Sequence, residues 1–189
     1  MATVSFTRMD EMKPEDRTII EPEFAAYRRK TQNGLADCIL RMLAEQNGSS
    51  LGYAIDRLQH SLQTASRAVR DGVDDEMIAV ALLHDIGDGL AMFNHSEFAA
   101  ALLRPFVSER NAWIVQHHGL FQGYHYFHYL GRDRNEREKL RGHPHFDACL
   151  DFCERWDQVS FDPAYDTIPL EYFVPIVHRL FEKEPRGFD

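Results

Sequence analysis

The sequence predicts an all-α fold, one bundle of helices around a single core. Three observations carry this expectation. Apolar residues recur at spacings of three and four from Glu23 to the last residues of the chain. No stretch alternates Val, Ile or Thr with polar residues over the length of a strand. Residues 77–83, MIAVALL, are apolar all round, the pattern of a helix enclosed by others. At 189 residues and 44% hydrophobic composition, the chain is long and apolar enough for one domain with a sizeable core.

The elements follow in order. Residues 1–22 are charged and carry Pro14 and Pro22, which predicts an irregular arm; residues 23–189 form the domain, with residues 54–160 as the core of its site. Phe24, Tyr27, Leu35, Cys38, Ile39, Met42 and Leu43 place a helix over 23–46, with Asn33-Gly34 as a candidate break. NGSSLG at 47–52 is a loop. Residues 54–70, AIDRLQHSLQTASRAVR, are an amphipathic helix ended by Asp71-Gly72. Asp74 caps the apolar helix, with Asp75 and Glu76 near the positive end of its dipole; Gly87 and Gly89 stop it. Asn94 and Glu97 form a capping-box pattern for a helix reaching Leu103 before Pro105. Ser108 caps ERNAWIVQHH, which Gly119 is expected to end. The aromatic stretch 120–131 and a charged segment come next. The last predicted elements are a helix over 144–159, a Pro-containing loop over 161–169, and a helix over 169–181.

The formal net charge of −9 argues against a nucleic-acid surface or an anionic membrane as partner. With no apolar run of membrane-spanning length and no N-terminal signal segment, a cytoplasmic protein is expected. Cys38, Cys149 and Cys153 are too few and wrongly spaced for a disulfide framework or a CxxC pair; they read as small hydrophobes.

The ten histidines are unusual for this length. His60 lies mid-helix. His84 and Asp85 end the apolar helix, His95 opens the next, His118 closes the one after, and Asp157 lies late in the 144–159 helix. Residues spread this way converge when helices pack, which is how bundles build metal sites. An unpaired buried carboxylate at the end of LLHD costs several kcal/mol, by order of magnitude, and coordination removes that cost. Nitrogen and oxygen donors favour iron, manganese, zinc or cobalt. Asp85 can bridge two cations, as an imidazole ordinarily does not.

RLQHSLQTA, MIAVALLHDIGD, NHSEFAAALLRPF, QHHG and RWDQ resemble the HD-domain superfamily, over roughly half the chain. Histidines at 95 and 118 are similar to its dinuclear branch, and within that to the mixed-valent diiron oxygenases that cleave organophosphonates; myo-inositol oxygenase is a more distant likeness. The resemblance implies a compact HD-domain bundle with a dinuclear site. One iron would be held by His60, His84, Asp85 and Asp157, and the second by His95, His118 and the bridging Asp85; His117 falls outside the set. It implies no catalytic side chain beyond the ligands. The activity implied is O₂-dependent oxidation of a C–H bond, with two iron ions cycling through a mixed-valent Fe(II)/Fe(III) state.

The likeness breaks around the substrate. Basic residues of the phosphonate-cleaving relatives are replaced here by Asp88, Gln122 and Glu154, and their tyrosine–glutamate gate by Ser50 and Tyr53. Phosphonates need charge-assisted donors, and carboxylates repel them. The substrate expected is therefore a small polar molecule, in one version cationic, contacted by Tyr53, Asp88, Gln122 and Glu154, with Tyr124, Tyr126, Phe127 and Trp156 as a candidate aromatic face. The rival readings are an HD phosphohydrolase using Mn, Co, Zn or Mg on a phosphate ester or nucleotide, and a non-catalytic metal-binding domain.

Overall fold

The computed structural model describes residues 3–187, so the outermost residues of the predicted arm and of the predicted domain, 1–2 and 188–189, lie outside the described residues. Within them the chain is helical and contains no strand. Seven α-helices make up the bundle: α1 (Arg17–Ala44), α2 (Arg57–Arg70), α3 (Asp75–Leu83), α4 (His95–Leu103), α5 (Glu109–Tyr126), α6 (Phe146–Phe152) and α7 (Leu170–Phe181).

α3 is the axis of the fold. Ala79 to Leu83 are wholly buried, and α2, α5 and α7 pack around them. Truncating a leucine such as Leu82 to alanine in such a place costs about 2–5 kcal/mol. The predicted caps at Asp74 and Ser108 are present: Asp74 accepts from the Met77 N–H at 2.8 Å, and Ser108 from the Asn111 N–H at 3.3 Å. α2 begins at Arg57, and its cap, Asp56, accepts from the Gln59 N–H at 2.8 Å.

Four elements differ from expectation. α1 begins at Arg17, runs through Pro22 and continues past Asn33-Gly34 without a break. The proline sits in an exposed stretch, where water satisfies the carbonyl its missing N–H leaves free. The capping box at Asn94 does not form: its φ of −143° and ψ of 34° turn its side chain away from the first-turn amides. α5 does not stop at Gly119 but continues to Tyr126. The glycine is there for contact rather than termination, because a Cβ at Gly119 would stand 2.9 Å from Ser96 Oγ. The 144–159 helix is divided, α6 passing into a π-helical turn over Cys153–Asp157 in which the Gln158 N–H bonds to the Cys153 carbonyl at 2.9 Å. Cys149 and Cys153 are buried, as expected of small hydrophobes, and Cys38 is exposed.

Candidate metal centre

The six predicted ligands come together. His60 sits mid-α2, His84 and Asp85 at the end of α3, His95 at the start of α4, His118 on α5 and Asp157 in the π turn. All but His95 are buried. Three overlapping groups have ligand atoms close enough to hold a metal ion: His60, His84 and Asp157; His84, Asp85 and His118; Asp85, Asp88 and His95.

Asp85 divides the cluster. Its Oδ2 lies 3.4 Å from the Nε2 of both His60 and His84, while its Oδ1 lies 3.3 Å from His95 Nε2 and 3.0 Å from His118 Nε2. Asp157 Oδ1 completes the first side, 3.2 Å from His60 Nε2 and 3.6 Å from His84 Nε2.

The rings are set by the backbone. The Nδ1–H of His60 donates to the Ser160 carbonyl (2.9 Å), that of His84 to Ala81 (2.8 Å), that of His118 to Val115 (2.7 Å) and that of His95 to Met92 (3.3 Å). A carbonyl can only accept, so each Nδ1 carries a proton, and Nε2 turns a lone pair inward whenever the ring gives up its second proton. This is the tautomer that binds metals. The consequence is a crowd of acceptors, with the Nε2 atoms of His60 and His84 3.2 Å apart. Asp157 Oδ2 is buried without a partner among the described residues. Only a cation, a proton or a metal, relieves such an arrangement.

The electrostatics agree. Burial opposes charge on His84, yet Asp85 and Asp157 hold its pKa well above the usual histidine range, and the same pair raises that of His60. Against burial, His84 and Arg57 keep the Asp85 carboxyl well below the ordinary range, and His84 and His60 do so for Asp157. Phe161, on the cavity side, stacks on His60 with ring centroids 4.5 Å apart, and the edge of the buried Phe152 meets His84 at 5.5 Å, so apolar rings flank both imidazoles.

A cavity of about 350 Å³ opens over the cluster. Tyr53, Asp88 and Gln122 are among the residues that line it. Glu154 is not among its lining residues; its side chain is half exposed, 3.9 Å from Arg137. Of the candidate aromatic face only Tyr126 lines the cavity. Tyr124 carries the guanidiniums of Arg134 and Arg137, Phe127 that of Arg132, and the Trp156 indole donates to Asp71 at 2.7 Å. The protein's own cations and hydrogen bonds thus occupy these rings. His117 stacks on Trp113 at 4.2 Å and stands apart from the cluster.

Two titratable lining residues were not anticipated. Arg57, buried in the first turn of α2, contacts Asp85 Oδ2 through Nη2, and its Nε lies 2.7 Å from Asp88 Oδ2. Asp88 is therefore paired from within, and burial with the neighbouring Asp85 raises its pKa despite Arg57, so it is not a free anion for a cationic substrate. Arg57 lies three residues before His60, on the same helical face, and that spacing is the signal that could have found it. The second is His125, seven residues after His118 on α5, with its Nε2 buried and unpartnered among the described residues. Burial and the nearby Arg137 lower its pKa, so the ring is neutral at pH 7.

Residues 57–154 match the HD-domain family, about half of the chain. The chain belongs to the HD-domain family. The matched span holds the adjacent His84 and Asp85 together with His60, His95 and His118. A search of the curated proteins finds no match. HD-domain membership and the buried His/Asp cluster together indicate a metal-dependent enzyme. No helix among the described residues is long and apolar enough to cross a membrane.

Proposed function

We propose that this HD-domain protein is an iron-dependent oxygenase that breaks a C–H bond of a small polar molecule at a two-metal site. The observation that carries the reading is the division of Asp85, with two imidazoles facing each of its carboxylate oxygens. A single ion would use one of those oxygens and leave the imidazoles on the other without purpose. The donor set fits transition metals, with four inward lone pairs, a bridging carboxylate and the orphaned Asp157 Oδ2.

His60, His84 and Asp157 would hold one ion and His95 and His118 the other, with Asp85 shared. Two iron ions there supply the redox equivalents and the O₂-binding position that C–H oxidation requires. The chain does the rest. Phe152 closes the inner side of His84, and Phe161 covers one face of His60 at the cavity wall. Gln122 and His125 share the His118 face of α5 and border the cavity, placed to bond polar groups of a substrate. His125, with a lowered pKa, borders the cavity beside Gln122.

A second reading, a metal-dependent phosphohydrolase, is favoured by Arg57, which borders the same cavity and whose fork geometry suits phosphate once bound metal takes over its share of Asp85. One preparation separates them. Protein loaded anaerobically with Fe(II) and partly oxidised is expected to give the resonance of a coupled Fe(II)/Fe(III) pair. Two irons bound without that signal, together with turnover of nucleotides or simple phosphate esters under Mn, Co or Mg, would replace the first reading by the second.

A further inference from the structure

We propose that the N-terminal half of α1 joins two copies of this chain, the two helices lying antiparallel about a two-fold axis between Ala25 and Ala26. α1 is docked on the bundle only through its second half, where Ala36, Ile39 and Leu43 are buried. Every residue from Glu21 to Thr31 is exposed. The stretch includes two large aromatic side chains, Phe24 at 59% and Tyr27 at 70% exposure. The last tie to the body is the Gln32 side chain, which donates to the Lys183 carbonyl at 3.0 Å. Beyond it the exposed helix is bordered, among the described residues, by Glu184 across an open pocket shared with Ile20, Phe24 and Arg28, and Pro22 lies in its interior. A proline there costs about 3 kcal/mol, and short helices without packing are marginal in water. Such an arm is expected to have a partner.

The pattern along the arm says which one. Ile20, Phe24, Tyr27 and Thr31 are spaced 4, 3 and 4 apart and fall on one helical face, symmetric about the Ala25–Ala26 midpoint. Glu21 and Glu23 precede that midpoint and Arg28 and Lys30 follow it, on the two flanks of the face. Laid antiparallel, Phe24 meets Tyr27 of the partner subunit and Ile20 meets Thr31 of the partner subunit. Glu21 comes beside Arg28 of the partner subunit, and Glu23 beside Lys30 of the partner subunit. An in-register parallel pair would match only Glu23 with Arg28 of the partner subunit and would leave Glu21 and Lys30 without an opposite charge. Self-complementarity of this kind is what a two-fold contact demands, because each patch must fit its own rotated copy. Glu21 also meets Arg17 of its own helix, which leaves Glu23 and Lys30 as the less encumbered pair.

The test uses the full chain and two charge-reversed variants, Glu21→Lys with Glu23→Lys, and Arg28→Glu with Lys30→Glu. All four positions are exposed, so neither variant disturbs the core. Sedimentation of the unmodified protein at low salt is expected to give twice 21.9 kDa, and each variant alone 21.9 kDa. Mixing the two variants restores complementary flanks and is expected to return the doubled mass, with one copy of each in native mass spectrometry. Added salt weakens the pairing. An unmodified protein that stays monomeric at tens of micromolar overturns the proposal. So do variants that remain dimeric, or a mixture that stays monomeric.

Discussion

Arg57 holds the same oxygen of Asp85, Oδ2, that faces His60 and His84. An arginine and a metal ion cannot both have full use of it, so loading the first side of the cluster draws Arg57 back toward Asp88, its other partner at 2.7 Å. Replacing Arg57 by methionine is therefore expected to act in opposite directions on the two forms of the protein. Stripped of metal, the variant leaves buried carboxylates unmatched and loses about 3 kcal/mol. That lowers Tm by roughly 6–12 °C for a domain of this size. Loaded, it should lose much less, because the metals carry the charge. Thermal scans with EDTA and with Mn(II) measure the two values; equal losses in both would refute the shared use of Oδ2.

Asp85→Asn tests the division of the cluster. Metal analysis of the unmodified protein is expected to give two ions per chain, and of the asparagine variant less than one. His118→Ala, which removes a donor only from the Oδ1 side, should keep one ion. If Asp85→Asn still binds two, the carboxylate is not the bridge.

Gly87 fixes the position of His95. A Cβ added there would lie 2.9 Å from the His95 carbonyl oxygen and 3.0 Å from its Cα, so backbone must move. Gly87→Ala is expected to cost about 1–3 kcal/mol and to weaken metal binding on the His95 side selectively. Gly89→Ala meets nothing within 4 Å and serves as the control. Matching metal occupancy in the two variants would count against this role.

The pH dependence of stability should reverse when metal binds. The pKa values of His60 and His84 are raised above 6.5 in the folded protein, against burial, by Asp157 and Asp85. Their contribution is complete below that value and is lost as pH rises through the folded pKa. Asp85 and Asp157 are held below 3.8, so theirs is present above that value and is lost as pH falls through the folded pKa. Metal-stripped protein is therefore most stable between about pH 4 and 6.5 and weakens toward pH 8. Metal binding needs the imidazoles unprotonated, so loaded protein gains over the same interval. Urea midpoints at pH 6 and pH 8, with EDTA and with Mn(II), give the two slopes; parallel slopes are the adverse result.

The fold class, the buried α3 and the two caps at Asp74 and Ser108 were legible because each rests on local chemistry, periodicity or a side-chain oxygen beside free amides. The six residues of the cluster were legible because a helix that ends in adjacent His and Asp has no simple packing explanation. Arg57 was not. A basic residue in a first helical turn reads as solvated, and only the packing of α2 turns it inward. Gly119 was misread because its role depends on Ser96, distant in sequence. The π turn at Cys153–Asp157 was hidden as well, since it breaks the 3.6-residue period by which the segment was read.

The cluster gathers α2, α3, α4, α5 and the π turn at one point. His60 and His84 are 24 residues apart and Asp85 and His118 are 33 apart, with Asp157 far beyond them. Two ions bound there and sharing Asp85 would together staple five separate segments, closing several chain loops at once. Unfolding any one of these segments would then require releasing an ion. Amide exchange in α2, α4 and α5 should slow together, as a single block, when metal is added.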